Sequence, residues 1–155
     1  GILSAVNNLL VGDTPNGMFV TAIFAILDLK TGKLYFANAG HNRPIIIRSQ
    51  KSDSEELPSG DIALGVIEDV QYKNMEISLN PGDLILFYTD GLTETFSAEG
   101  QEFGVERAIK FLKAHHHLEI NEILDKLDIE LHNYREGQPA SDDLTLIGLK
   151  RDKLD

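Results

Sequence analysis

Apolar positions recur at three- and four-residue spacing in three stretches of the chain, and elsewhere they alternate or run together. Ile2, Ala5, Val6, Leu9 and Leu10 follow the helical spacing, which predicts a helix at the start. Asn7, Asn8, Gly12, Asp13, Pro15, Asn16 and Gly17 are turn formers, so that helix is expected to give way to a loop. Val105, Ala108, Ile109 and Leu112 predict a second helix. Ile120, Ile123, Leu124, Leu127, Leu131 and Tyr134 predict a third, stopped by Gly137 and Pro139.

The middle of the chain reads as strands. Met18 to Leu29 is rich in β-branched and aromatic residues and apolar on both faces, the pattern of a strand covered on both sides. Lys30-Thr31-Gly32-Lys33 predicts a hairpin turn into a strand over Leu34 to Asn38. Residues 39–44 break it before a short strand from Ile45 to Arg48. Ser49 to Gly60 is polar and acidic and contains Pro58, so it is expected to be an exposed, expendable loop. Tyr72 to Leu79 alternates as a half-buried strand does, and Asn80-Pro81-Gly82-Asp83 predicts a second hairpin into Leu84 to Tyr88. Leu144 to Leu149 is a last apolar strand. Strands, then paired helices, then a strand predict an α+β fold with mainly antiparallel pairing, in one domain over residues 1–155 without repeats or an internal boundary.

Composition narrows the chemistry. Fourteen Lys and Arg stand against 25 Asp and Glu, a formal net charge of -11; this repels phosphate backbones and anionic lipid, so neither nucleic acid nor membrane contact is expected. There is no Cys, which excludes thiolate nucleophiles, zinc thiolates and disulfides. Hydrolysis would need carboxylates, His, hydroxyls or a metal. The longest apolar stretch, Phe19 to Leu27, is interrupted by Thr21 and falls far short of the roughly 20 residues that span a bilayer. With no basic region before it, no secretory signal is read at the start either, and a cytoplasmic location is expected.

Two acidic sites occur where an apolar strand meets a loop: Asp90 in LILFYTDG, and Asp142 with Asp143 in SDDLTLIGL. A carboxylate there stands on a rigid scaffold at a loop, as a hard-cation site requires; Asp before Gly is equally a turn former. His41, after Gly40, is either a general acid or ligand, or a hydrogen-bonded loop residue. His115, His116 and His117 point about 100° apart on a helix and cannot close on one ion, so a solvated helix end is expected. Arg43 and Arg48 read as surface residues. No phosphate-binding glycine loop with its Lys and no Gly-x-Ser-x-Gly is present.

Taken in order, MFVTAIFAILDLKTGKLYFANAGHNRP, LPSGDIALGV, LNPGDLILFYTDGLTET, GQEFGVERA and PASDDLTLIGL resemble the metal-dependent serine/threonine phosphatases of the PPM type. The nearest group is the stage II sporulation protein E and sigma-factor regulator class, and the similarity runs from about Met18 to Leu149. The resemblance implies a β-sandwich of two mainly antiparallel sheets flanked by helices, with a Mn²⁺ or Mg²⁺ pair at one end. Metal-activated water would hydrolyse phosphoserine or phosphothreonine on a regulatory protein, an anti-anti-sigma-factor-like partner in a bacterial switch. By position Asp90 and Asp142 match the family's late metal ligands, which makes them the catalytic pair. Gly91 would permit close approach at the metal, Asp143 would orient the loop, and His41 and Asn42 match a Gly-His-Asn loop with a structural or substrate-side role.

The family also uses an early Gly-Asp motif whose Asp bridges both metals, and Gly12-Asp13, placed in a turn after the first helix, does not match it. The chain is therefore expected to be a PPM domain lacking its N-terminal part, holding one ion or none instead of two, and impaired in catalysis. Unpaired strand edges along Met18 to Leu29 are expected to favour a homo-oligomer. The rival reading is a non-catalytic binding or dimerisation module with a phosphatase-like fold.

Overall fold

The computed structural model describes residues 1–13, 17–50 and 53–152. In chain order its elements are α1 (Ile2–Asp13), β1 (Ala22–Asp28), β2 (Lys33–Ala39), β3 (Ile45–Arg48), β4 (Asp53–Glu56), β5 (Met75–Ser78), β6 (Leu84–Tyr88), α2 (Gly104–His115), α3 (Ile120–Tyr134) and β7 (Leu146–Lys150). The expected α+β composition and antiparallel pairing are both present, in two sheets ordered β1-β2-β5 and β4-β3-β6-β7. No helix among the described residues is long and apolar enough to cross a membrane. The chain divides into two compact units: Gly1–Arg43 with Pro58–Leu79, and Pro44–Leu57 with Asn80–Asp155.

In the first unit the Asp28–Lys33 turn closes the β1–β2 hairpin as expected. Asp28 Oδ1 accepts the amides of Lys30 at 2.9 Å and Thr31 at 3.2 Å, and these bonds, that of Thr31 foremost, hold its carboxyl below the usual value. Helix α1 lays Leu3 against Ala37, Ala39 and Leu64, with Leu10, Ala22 and Tyr72 around them. The helix continues through Gly12 and Asp13, so these residues do not form the turn expected of them; Pro15 and Asn16 lie outside the described residues.

Asn7 also departs from its turn-forming role. It is buried inside α1, where its side chain donates to Ile67 O at 2.8 Å and accepts from Gly65 N at 2.9 Å and the Tyr72 hydroxyl at 3.3 Å. Tertiary partners here replace the local bonds by which Asn favours turns.

The expectation that Met18 to Leu29 is covered on both sides fails. Among the described residues β1 is an edge strand, with Phe24 38% and Ile26 56% exposed. Helix α1 packs at the Ala22, Ala37 and Ala39 end of the sheet and leaves the pair Ile26 and Tyr35 in solvent.

The second unit has its core between the sheet and the two later helices. Ile45, Ile47, Leu84 and Leu86 from the strands meet Ala108 and Leu112 of α2 and Ile123, Leu127 and Leu131 of α3, the positions that the helical spacing marks as one face. The Ser49–Gly60 segment instead contains β4, paired with β3 from Ile45↔Glu56 to Arg48↔Asp53, and β4 is followed at once by the fully buried Leu57. A strand made of Asp, Ser and Glu is an edge that backbone pairing holds and charge protects.

Arg48 is correspondingly no bare surface residue. It bonds Glu55 and reaches the buried Asp83 at 2.7 Å. The Asn80–Asp83 turn forms, with Asp83 N donating to Asn80 O at 2.9 Å, but it makes no hairpin: β5 pairs with β2, whereas β6 pairs with β3 and β7.

Candidate functional site

Strand β6 is apolar and buried along most of its length, and its register with β7 runs from Leu84↔Lys150 to Tyr88↔Leu146. The ladder continues one step past both strands. Thr89 N donates to Thr145 O at 3.1 Å, the Thr89 hydroxyl donates to Asp143 O at 2.9 Å, and Thr145 N donates back to that hydroxyl at 2.9 Å. The YTDG and SDDLT segments are thereby fixed side by side at one end of the sheet.

Gly91 sits where they cross. An added Cβ would lie 2.5 Å from Asp143 O and 3.2 Å from Leu144 Cα, closer than a side-chain carbon tolerates, so this position requires Gly for close backbone approach.

Hydroxyls hold the rest of the Asp90 loop. Asp90 O accepts Glu94 N at 2.7 Å and the Thr93 hydroxyl at 3.2 Å, and the buried Thr95 donates to Gly91 O at 2.6 Å. Ser141, beside Asp142, donates to Glu94 O at 2.5 Å. Sequence reasoning missed Thr89, Thr93, Thr95 and Ser141; the recurrent hydroxyls of TDGLTET were the available sign, since short hydroxyl side chains bond nearby backbone.

The Asp90 side chain is exposed and, among the described residues, bonds to no hydrogen-bond donor and no cation. Asp142 is exposed as well, and its Oδ1 accepts Asp143 N at 2.7 Å. The structure thus brings together the segments carrying Asp90, Gly91, Asp142 and Asp143. An all-oxygen set of carboxylates and carbonyls suits a hard divalent cation such as Mn²⁺ or Mg²⁺. Among the described residues, however, no three His, Asp or Glu side chains gather closely enough to hold an ion.

His41 and Asn42 belong to the first unit, in a loop built on the buried Asn38. Asn38 Oδ1 accepts His41 N at 2.8 Å and its amide donates to His41 O at 2.9 Å. Gly40 has φ +70°, and a Cβ there would meet Ala63 N at 2.9 Å. His41 Nδ1 lies 3.0 Å from the Thr21 hydroxyl, which orients the ring.

The histidine tract at the end of α2 is bound to its own helix. His115 Nδ1 lies 2.9 Å from Phe111 O with its ring stacked on Phe111, and His116 Nδ1 lies 2.7 Å from Lys113 O.

These arrangements have relatives. The chain is 31% identical over 134 residues to Protein IcfG of Synechocystis, covering 86% of the chain and 21% of that protein. It is 28% identical over 153 residues to the phosphoserine phosphatase RsbU of Bacillus subtilis, covering 97% of the chain and 44% of that protein. It therefore spans less than half the length of either relative. Among solved structures it matches the SiaA-PP2C domain of Pseudomonas aeruginosa with a TM-score of 0.73 at 24% identity, over 85% of the chain and 52% of that one. The phosphatase domain of SpoIIE from Bacillus subtilis matches with a TM-score of 0.69 at 22% identity, over 99% of the chain and 65% of that domain. The two antiparallel sheets and three helices thus follow the fold of PP2C phosphatase domains. The family described as Stage II sporulation protein E (SpoIIE) matches residues 1–152, and the chain belongs to that family.

Proposed function

We propose that this chain is the phosphatase portion of a metal-dependent protein serine/threonine phosphatase acting on phosphoserine or phosphothreonine of a regulatory protein. The observation that carries this is the crossing of the Asp90 and Asp142 segments at Gly91, which puts exposed carboxylates from two loops on one sheet end. When bound, Mn²⁺ or Mg²⁺ would supply charge for the phosphoryl oxygens and a more acidic water. Asp90 and Asp142 would hold the cation. Gly91 would let the two backbones close around it, and Asp143 would keep the loop in place through its amide bond to Asp142.

His41, held by Asn38, and Asn42 beside it take the structural or substrate-side role. Family membership across residues 1–152 supports treating both compact units as parts of one phosphatase domain.

The likeness to the phosphoserine phosphatase RsbU supports a phosphoserine protein as substrate; an anti-anti-sigma-factor-like phosphoprotein and a cytoplasmic location complete this reading on the strength of the motif resemblance alone. With fewer than three ligands gathered among the described residues, the chain by itself is expected to bind one ion or none and to turn over slowly. The test is phosphate release from a phosphoserine protein by the full-length protein containing this chain, with Mn²⁺ and with the Asp90→Asn variant. The reading requires activity that depends on Mn²⁺ and falls at least about a hundredfold in the variant while the fold is kept; unchanged activity sinks it.

A second reading, a dimerisation module with a phosphatase-like fold, draws on the exposed apolar edge of β1. Full-length protein that shows no phosphatase activity but associates through that edge would favour it.

A further inference from the structure

We propose that the groove between α2 and α3 docks an acidic segment of a protein partner that inserts one apolar side chain. The groove encloses a cavity of about 370 Å³ lined by Phe103, Arg107, Lys110, Phe111, Glu130 and Tyr134 among others. Its aromatic floor is rigid: Phe103 and Tyr134 meet edge to face at 5.2 Å, and the Tyr134 hydroxyl donates to Gln101 O and Glu102 O, both at 3.2 Å.

Arg107 is fixed before anything binds. Its Nη1 donates to Glu102 O at 2.8 Å and Phe103 O at 3.1 Å, and its guanidinium carbon stands 5.3 Å from the Tyr134 ring centre. A cation ordered in this way loses little further entropy on binding. Lys110, one helical turn on, is exposed and has no hydrogen-bond or ion-pair partner among the described residues.

Charge selects the occupant. The chain as a whole carries -11, yet this groove presents two cations to one carboxylate, Glu130, so its sign is opposite to that of the surrounding protein. Buried aromatic anchors beside Arg are the composition of an interface core, and a cavity of this size takes a single large side chain. Nucleic acid, an anionic lipid surface and a second copy at -11 each bring many negative charges against the chain's own field over a wide area, whereas a short acidic segment brings few and meets chiefly Arg107 and Lys110. A short acidic peptide pairs with Arg107 and Lys110 while its apolar residue fills the cavity.

The groove is tied to the Asp90 loop, since Phe103 N donates to Thr95 O at 2.7 Å and Gly104 N to Thr93 O at 3.0 Å. The docking proposal stands whether or not that loop is catalytic.

The experiment is fluorescence anisotropy of a labelled, acetylated pentapeptide with phenylalanine between two pairs of glutamates, titrated with this chain at about 50 mM salt to limit screening. Saturable binding is expected, weakened at least about tenfold by Lys110→Glu, a variant whose α2 is checked by circular dichroism. A similar loss is expected when the peptide's phenylalanine becomes serine, and little change with Lys126→Glu on α3. The proposal is overturned by absence of saturable binding up to about 1 mM, or by Lys126→Glu weakening binding as much as Lys110→Glu. A self-associated chain that Lys110→Glu dissociates would assign the groove to a second copy and overturn it too.

Discussion

The carbonyl oxygen of Asp143 occupies the space that a side-chain carbon on Gly91 would need, 2.5 Å from where that carbon would stand. Gly91→Ala must push the SDDLT segment away from the Asp90 loop. We expect the variant to lose about 1–3 kcal/mol of stability, the usual cost of overpacking. Phosphatase activity of the full-length protein should fall at least about tenfold, since small misplacement of reacting groups is expensive. Urea unfolding and phosphate release measure the two effects, and a variant equal to wild type in both would show that the two segments do not need their close approach.

Asn7 joins α1 to the 65–72 segment through Gly65, Ile67 and Tyr72. Asn7→Ala removes the partner that the Gly65 amide and the Ile67 carbonyl meet in part-buried bonds and should cost about 1–2 kcal/mol. Thermal unfolding should detect this as a clear drop in Tm, whereas Asn8→Ala, at the neighbouring residue that bonds Asp69 in solvent, should cost much less.

Burial raises the pKa of Asp83, yet the Ser49 amide, the Arg48 guanidinium and the Asn80 amide together hold it below its usual value. A carboxyl lowered in the folded state contributes stability fully above its unfolded pKa of about 3.9, and that contribution is lost as pH falls through the folded value. Asp83→Asn should therefore be less stable than wild type at neutral pH, with the gap closing progressively below about pH 4. Chemical unfolding across that range tests it; a gap that stays constant would remove Asp83 from the acid response.

The pair Ile26 and Tyr35 is exposed on β1, an edge strand among the described residues, and its neighbour β2, and we expect self-association to run through it. Ile26→Lys, a charge of the kind that protects natural edges, should reduce self-association at high concentration without lowering stability by more than about 0.5 kcal/mol. Sedimentation velocity over a concentration series reads the outcome.

Helices α2 and α3 and strand β6 could be read from the sequence because their apolar spacing records which face is buried, and Leu112, Leu127 and Leu86 are indeed core. Strand β4 escaped because backbone bonds and the Arg48–Glu55 ion pair hold it rather than an apolar face, and nothing in Asp53-Ser54-Glu55-Glu56 alternates in hydrophobicity. The Asn80–Asp83 turn was legible as a reversal, but turn chemistry does not name the strand's partner, and β6 joined β3 and β7 instead of β5. Both acidic motifs of the candidate site were visible at strand ends. That they cross depends on the pairing of β6 with β7 and on the Thr89 hydroxyl, which no local pattern encodes.

The ladder that runs from β6 and β7 into Thr89 and Thr145 also sets a schedule. Asp90 leaves the ribosome well before Asp142, and at about 5–20 residues per second the delay is of the order of seconds. Throughout that interval β6, which Asp90 follows, has β3 on one side and nothing yet on the side that β7 will take. The nascent protein therefore carries the Asp90 loop without its neighbour, and the Asp90 and Asp142 segments meet only when β7, the last described element in chain order, docks on the sheet.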